Sequence, residues 1–182
     1  MRAMLRRPVV VGLLLLGPAA GAVGAVWFQP WKLWVDETVR EDLPAAAPAG
    51  VPEQGAAADP PARAQPRTLA TGELISHEHR TTGTVRIVRL ADGSHVLRLE
   101  NLDTSNGPDL RVLLADAPVK EGTAGWRVFD DGKHTAVGKL KGNKGDQNYA
   151  LPRDVDPADY TSVSIWCDRF DVSFGAAELA PV

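Results

Sequence analysis

Apolar and polar positions alternate with a period of two through much of the C-terminal part of the chain. In "TVRIVRL" Val85 and Ile87 share a face, with Arg86 opposite. In "HVLRLENL" Leu97 and Leu99 point inward, and Arg98 and Glu100 outward. "DLRVLLAD" reads as a short strand ending near Pro118. Val163, Ile165 and Cys167 share a face in "VSIWC", as do Phe170, Val172 and Phe174 in "FDVSF". The inward parity switches from odd to even across Asp168–Arg169, which predicts a bulge or tight turn there. Trp166 should point away from Cys167 and pack on the Phe170/Val172/Phe174 side. Between the strands lie the turn signals "ADGS", "SNGPD", "DDGK", "KGNKG" and "PRDVDPADY". Asn106-Gly107-Pro108 should turn the chain into the strand Leu110–Leu114, with Asp109 at its mouth, and a positive φ at Gly107 would make that glycine necessary. Short strands with few helical stretches predict an all-β fold, an antiparallel β-sandwich over residues 68–182.

The N-terminal part has a different pattern. Residues 1–7, "MRAMLRR", are basic, and Pro8 to Trp31 is a run of 24 residues without a charged side chain. About 20 apolar residues suffice to cross a bilayer as a helix. Arg2, Arg6 and Arg7 would stay cytoplasmic, so the pattern predicts a single-pass anchor at residues 8–31 in the cell membrane, with the C-terminal domain outside. A cleaved signal peptide is the competing reading, since "AAGAVGA" offers small residues for cleavage. Trp27, Phe28, Trp31 and Trp34, with Lys32 among them, form an interfacial aromatic belt and favour a retained anchor. Residues 32–67 then read as a solvated juxtamembrane segment, "DETVRED", followed by a Pro/Ala-rich disordered linker. As a semi-rigid spacer at about 3.1 Å per residue, residues 41–67 would reach at most roughly 80 Å.

Residues 68–182 carry 13 Lys/Arg against 17 Asp/Glu, a net charge of −4 with no basic stripe. That argues against nucleic acid as a partner and makes the domain a poor lipid-surface binder. With Cys167 the only cysteine, no intrachain disulfide can form.

Candidate chemistry is sparse. No local hydrolase signature surrounds the histidines, and "GNKGD" lacks the ending of a phosphate loop and reads as a surface loop. Asp130–Asp131 and Asp154/Asp156 lack calcium-loop spacing and read as solvated turns. His77 and His79 in "SHEHR" would share a face on a strand, and with a Cys167 thiolate they could form a copper site. No His or Met follows Cys167, which disfavours copper and leaves two half-exposed histidines at the domain's first turn. Cys167 reads either as a small hydrophobe in the core or as a reactive thiol, which needs partial exposure and a positive neighbour. Asp168 and Arg169 are adjacent, and the strand-end position favours partial exposure.

Several longer stretches occur together: "GELISHEHRTTGTVRIV", "LRLENLDTSNGPDLRVLL", "GKLKGNKGDQNYALP" and "DYTSVSIWCDRFDVSFGAAEL". In this order they resemble the DM-thirteen domain family over about Leu69 to Leu179. The resemblance implies a β-sandwich with an electron-transfer role. It also implies a redox-active cysteine at Cys167, as a bare thiol or through a prosthetic group such as haem. Without a c-type attachment signature any haem would be held non-covalently. Trp166 and Asp109 are secondary candidates for lining such a site. The expected function is a membrane-tethered extracytoplasmic redox domain centred on Cys167, with an unknown redox or protein partner. The alternative is a non-enzymatic cell-surface binding or adhesion module with a structural cysteine. Both are electron-transfer or binding roles rather than those of a turnover enzyme.

Overall fold

The computed structural model describes residues 21–44 and 65–182. The period-two stretches become paired strands: β1 (Thr38–Arg40), β2 (Arg67–Glu73), β3 (Ile75–Ser76), β4 (Thr82–Arg89), β5 (His95–Asp103), β6 (Leu110–Ala115), β7 (His134–Lys139), β8 (Lys144–Ala150), β9 (Ser162–Cys167), β10 (Val172–Glu178) and β11 (Ala180–Pro181). They form a six-stranded sheet, β1-β8-β5-β4-β2-β11, and a five-stranded sheet, β3-β10-β9-β6-β7. Every pairing is antiparallel except β1 with β8.

The inward faces predicted from alternation meet between the sheets. Val85, Ile87, Leu97 and Leu99 from the first sheet pack with Val112, Leu114, Val163 and Ile165 from the second. Each fully buried aliphatic side chain stabilises the fold by roughly 2 kcal/mol. A second cluster lies on the outer face of the five-stranded sheet, where Trp166, Leu113, Ala115 and Ala176 are covered by Ala117 and Phe129. Trp166 does point away from Cys167, but it packs here, whereas Val172 and Phe174 join Cys167 between the sheets. The expected Trp166 partners were wrong because the hairpin returns Val172 to the face of its neighbour Cys167. The parity break itself is the four-residue turn Asp168–Asp171, with Asp171 at φ 49°.

Among the described residues no helix is long and apolar enough to cross a membrane. Residues 8–20 of the predicted span lie outside the described residues, as do residues 45–64 of the linker. Residues 21–28 are helical, and Pro30–Trp34 form a 3-10 turn.

Asp36–Asp42 is mostly exposed, as expected of a solvated segment, but its backbone is an ordered edge strand. β1 lies along the edge of the sheet, and Glu37, Glu41 and Asn143 fasten it there. The Glu37 amide donates to Asn143 Oδ1 at 2.7 Å, and Asn143 Nδ2 donates to Asp36 Oδ1 at 2.8 Å. The Glu41 carboxylate accepts from the Asn148 amide at 2.7 Å and from Lys141 Nζ at 2.8 Å. Burial raises the Glu41 pKa, but the Lys141 and Asn148 contacts outweigh it and leave the pKa below normal. Leu43 then packs on Val88, Leu90 and Val96. "GNKGD" is therefore not a free surface loop: its Gly145 makes room for β1.

Candidate functional site

Cys167 is the last residue of β9, between Leu110 of β6 and Val172 of β10. Leu110, Val172 and Phe174 enclose it in the inter-sheet core, and none of its surface is exposed. Burial pushes the thiol pKa up, and backbone hydrogen bonds from Arg169 and Phe170 oppose this only partly. The Phe170 amide donates to the Cys167 carbonyl at 3.2 Å, closing the turn beneath the thiol's strand.

The flanking charges do not serve the sulfur. Arg169 turns outward, where Nη1 donates to the Trp27 carbonyl at 2.6 Å and the guanidinium lies 4.7 Å from the Trp27 ring centre. Asp168 pairs with Arg111 at 3.0 Å, and Arg111 also reaches Asp109 at 3.2 Å. Asp109 accepts the Asp168 amide at its carbonyl, 3.0 Å away. Asp109 thus ties the mouth of β6 to the hairpin turn, a turn-orienting role. Trp166 lies on the opposite face of β9, so neither residue shares a pocket with the thiol.

His77 and His79 diverge. They follow β3 as bends rather than as strand, so the same-face expectation fails. His77 points to the outer side of β10, and its ring stacks on Phe129 at 5.8 Å. The Lys120 carbonyl, 3.1 Å from Nε2, can only accept, so Nε2 carries the proton. Nδ1 then accepts from Ser173 Oγ at 2.8 Å, and Ser173 accepts from Ser164 at 2.9 Å. Both ring nitrogens are committed. Burial holds the His77 pKa down, against the Lys120 hydrogen bond. His79 instead lies over Phe174, ring centres 3.9 Å apart. Among the described residues no three His, Cys, Asp or Glu side chains converge to hold a metal.

One concave feature shares a wall residue with the core cluster that holds the cysteine. A cleft of about 260 Å³ is lined by Phe28, Pro30, His79, Pro108, Phe170 and Phe174, with Glu78 and Lys32 at its polar parts. Phe174 belongs both to this cleft and to the core cluster that holds Cys167. Phe28 stacks on Phe170, ring centres 5.7 Å apart, so the N-terminal segment forms one wall. Sequence reading missed this cleft, because its walls come from four separate stretches, residues 28–32, 78–79, 106–108 and 170–174, which share no pattern. Haem ligated by Cys167 does not fit this arrangement. The sulfur is enclosed, and the cleft falls below the roughly 300–1,000 Å³ of typical small-molecule sites.

Other motif residues have structural work. The Gln147 amide closes the turn before β8, accepting from the Lys141 amide and the Tyr149 hydroxyl and donating to the Gly142 carbonyl at 2.7 Å. Gly107 has no positive φ, so conformation does not require the glycine; crowding does, because a β-carbon would lie 3.1 Å from Leu110 and Phe174.

The family described as electron transfer DM13 matches residues 73–179, more than half of the chain's 182 residues. No curated protein and no solved structure gives a significant match. The match spans β3 to β10, includes Cys167 and the cleft's Phe170 and Phe174, and supports a general redox or electron-transfer role. The chain belongs to the electron-transfer DM13 family.

Proposed function

We propose that the chain is a membrane-tethered, extracytoplasmic electron-transfer domain whose redox group is the bare thiol of Cys167. The observation that supports this best is the place of Cys167 at the strand end, in a core cluster that shares Phe174 with the aromatic cleft. A lone cysteine needs a partner to complete a redox couple. A disulfide in an extracytoplasmic protein held at the same membrane surface supplies one. The Cys167 thiol loses its proton to solvent, and the thiolate attacks one partner sulfur. One S–S bond breaks, a mixed disulfide forms and one partner thiolate leaves. Burial keeps the resting thiol protonated, so this exchange requires the cleft end to open.

A second reading rests on the same burial: Cys167 is core filler, and the domain is a cell-surface binding or adhesion module. Timed thiol labelling of the folded chain separates the two. Under the redox reading, Phe170→Ala accelerates labelling more than it lowers stability, and Cys167→Ser abolishes electron exchange in the native host while remaining folded. Labelling only at the rate of global unfolding, with a Ser variant active in the host, overturns the redox reading. An optical spectrum of protein purified from that host tests for haem.

A further inference from the structure

The residues between the N-terminal helix and β1 are few. Phe28 and Thr38 are ten positions apart, and Pro30–Trp34 between them are coiled into a 3-10 turn. At a maximum of about 3.5 Å per residue, β1 begins within roughly 35 Å of the helix end. Two contacts hold that helix end to the sandwich, Phe28 on Phe170 and Arg169 on Trp27.

The path of β1 fixes the polarity. Thr38 pairs with Lys144 and Arg40 with Asp146, so β1 runs from the Cys167 end toward the far end. At the far end Leu43 packs on Val88 and Val96. β2 re-enters there, with Arg67 opposite Arg89. Both flanks of the Pro/Ala-rich stretch therefore sit at the end remote from the N-terminal helix. Lengthening or shortening that stretch cannot change the height of the domain above the helix.

Apolar exposure is concentrated at the other end. Among the described residues the exposed large hydrophobic side chains, apart from Val182 near the C-terminus, are Phe170 and residues between Val23 and Val35. Trp34 is 80% exposed and Trp27 58%. These aromatics continue directly from the uncharged stretch that starts at Pro8, and Lys32 and Arg169 flank them. Tryptophans with cations beside a long apolar run suit the boundary between headgroups and acyl chains. The net negative charge of the domain does not oppose this, since the contact is aromatic and local.

We infer that the sandwich sits directly on the lipid surface, its Cys167 end and aromatic cleft facing the headgroups. The inference rests on the proposed tether. It replaces the spacer geometry with a docked one, in which the cleft opens toward the bilayer.

The test uses the unmodified full chain in phosphatidylethanolamine–phosphatidylglycerol nanodiscs that carry a gadolinium-labelled headgroup lipid. Docking predicts that amide resonances of residues 104–109 and 168–171 are broadened, while those of 152–159 are spared. Deleting residues 45–64 leaves this pattern unchanged. Uniform broadening, or sparing of both ends, overturns the docking even though the chain is in the disc. A deletion that brings resonances of 152–159 into the broadened set overturns it as well. A chain that never enters the discs overturns the tether itself, and the docking with it.

Discussion

The α-carbon of Gly145 faces the carbonyl of Val39 so closely that a β-carbon there would fall on the oxygen, and Gly145 holds φ at +94°. A residue inside the family domain is thus shaped around a strand that lies outside the matched span. Gly145→Ala should cost about 3 kcal/mol, from strain at positive φ and from displacement of β1. Urea unfolding measures it. A change within about 0.5 kcal/mol would mean that β1 is not held there.

Asn143 should be nearly as sensitive. Its buried amide accepts from Glu37 and donates to Asp36 and to the Thr104 carbonyl. Asn143→Ala leaves those groups unpaired at the root of β1 and should cost about 2–3 kcal/mol. Amide exchange at residues 37–41 should quicken in this variant.

Gly107→Val tests the crowding at the cleft. The added side chain meets Leu110 and Phe174, so destabilisation of about 1–3 kcal/mol is expected. The His79 ring, stacked on Phe174, should shift with it, and this can be read from the His79 proton resonances.

His77 gives a pH dependence. Its folded pKa lies below the ordinary 6.5 because burial disfavours the imidazolium. The unfolded chain therefore binds the proton more readily. This contribution is fully present above about pH 6.5 and is lost as pH falls toward the folded pKa. In His77→Gln the slope of stability against pH between about pH 6.5 and 5 should be shallower than in the native chain.

Cys167 gives a graded pair. Cys167→Ala should cost about 1 kcal/mol through lost packing, and Cys167→Ser about 2 kcal/mol because it buries a hydroxyl among Leu110, Val172 and Phe174. An equal or smaller cost for serine, from denaturant unfolding, would show that water or a polar partner reaches this position.

The sandwich was legible because Val85, Ile87, Leu97, Leu99, Val163 and Ile165 obey one rule, alternate burial, and that rule is local. The turn after Cys167 was legible as a change of parity. β1 was not. Three residues, "TVR", carry too little pattern, and the partner that orders them lies about a hundred positions away. The one trace was the glycine pair in "KGNKGD", which reads equally well as a loop. The divergence of His77 and His79 was hidden for a related reason: spacing of two fixes a common face only on a strand, and these residues are in bends. The burial of Cys167 was half legible. Its face was correct, but the enclosure comes from Leu110 and Phe174, brought in by two other strands.

The short outer strands have a consequence for how copies of the chain coexist. The six-stranded sheet ends in three-residue β1 on one side and two-residue β11, which contains Pro181, on the other, and the five-stranded sheet ends on one side in two-residue β3. Such stubs offer a neighbouring chain few free amides and carbonyls to pair with. Removing residues 36–43 would uncover β8 along Lys144–Asp146 and give a second molecule a backbone template. Truncation there should therefore appear first as concentration-dependent clumping, before any loss of the fold is measurable.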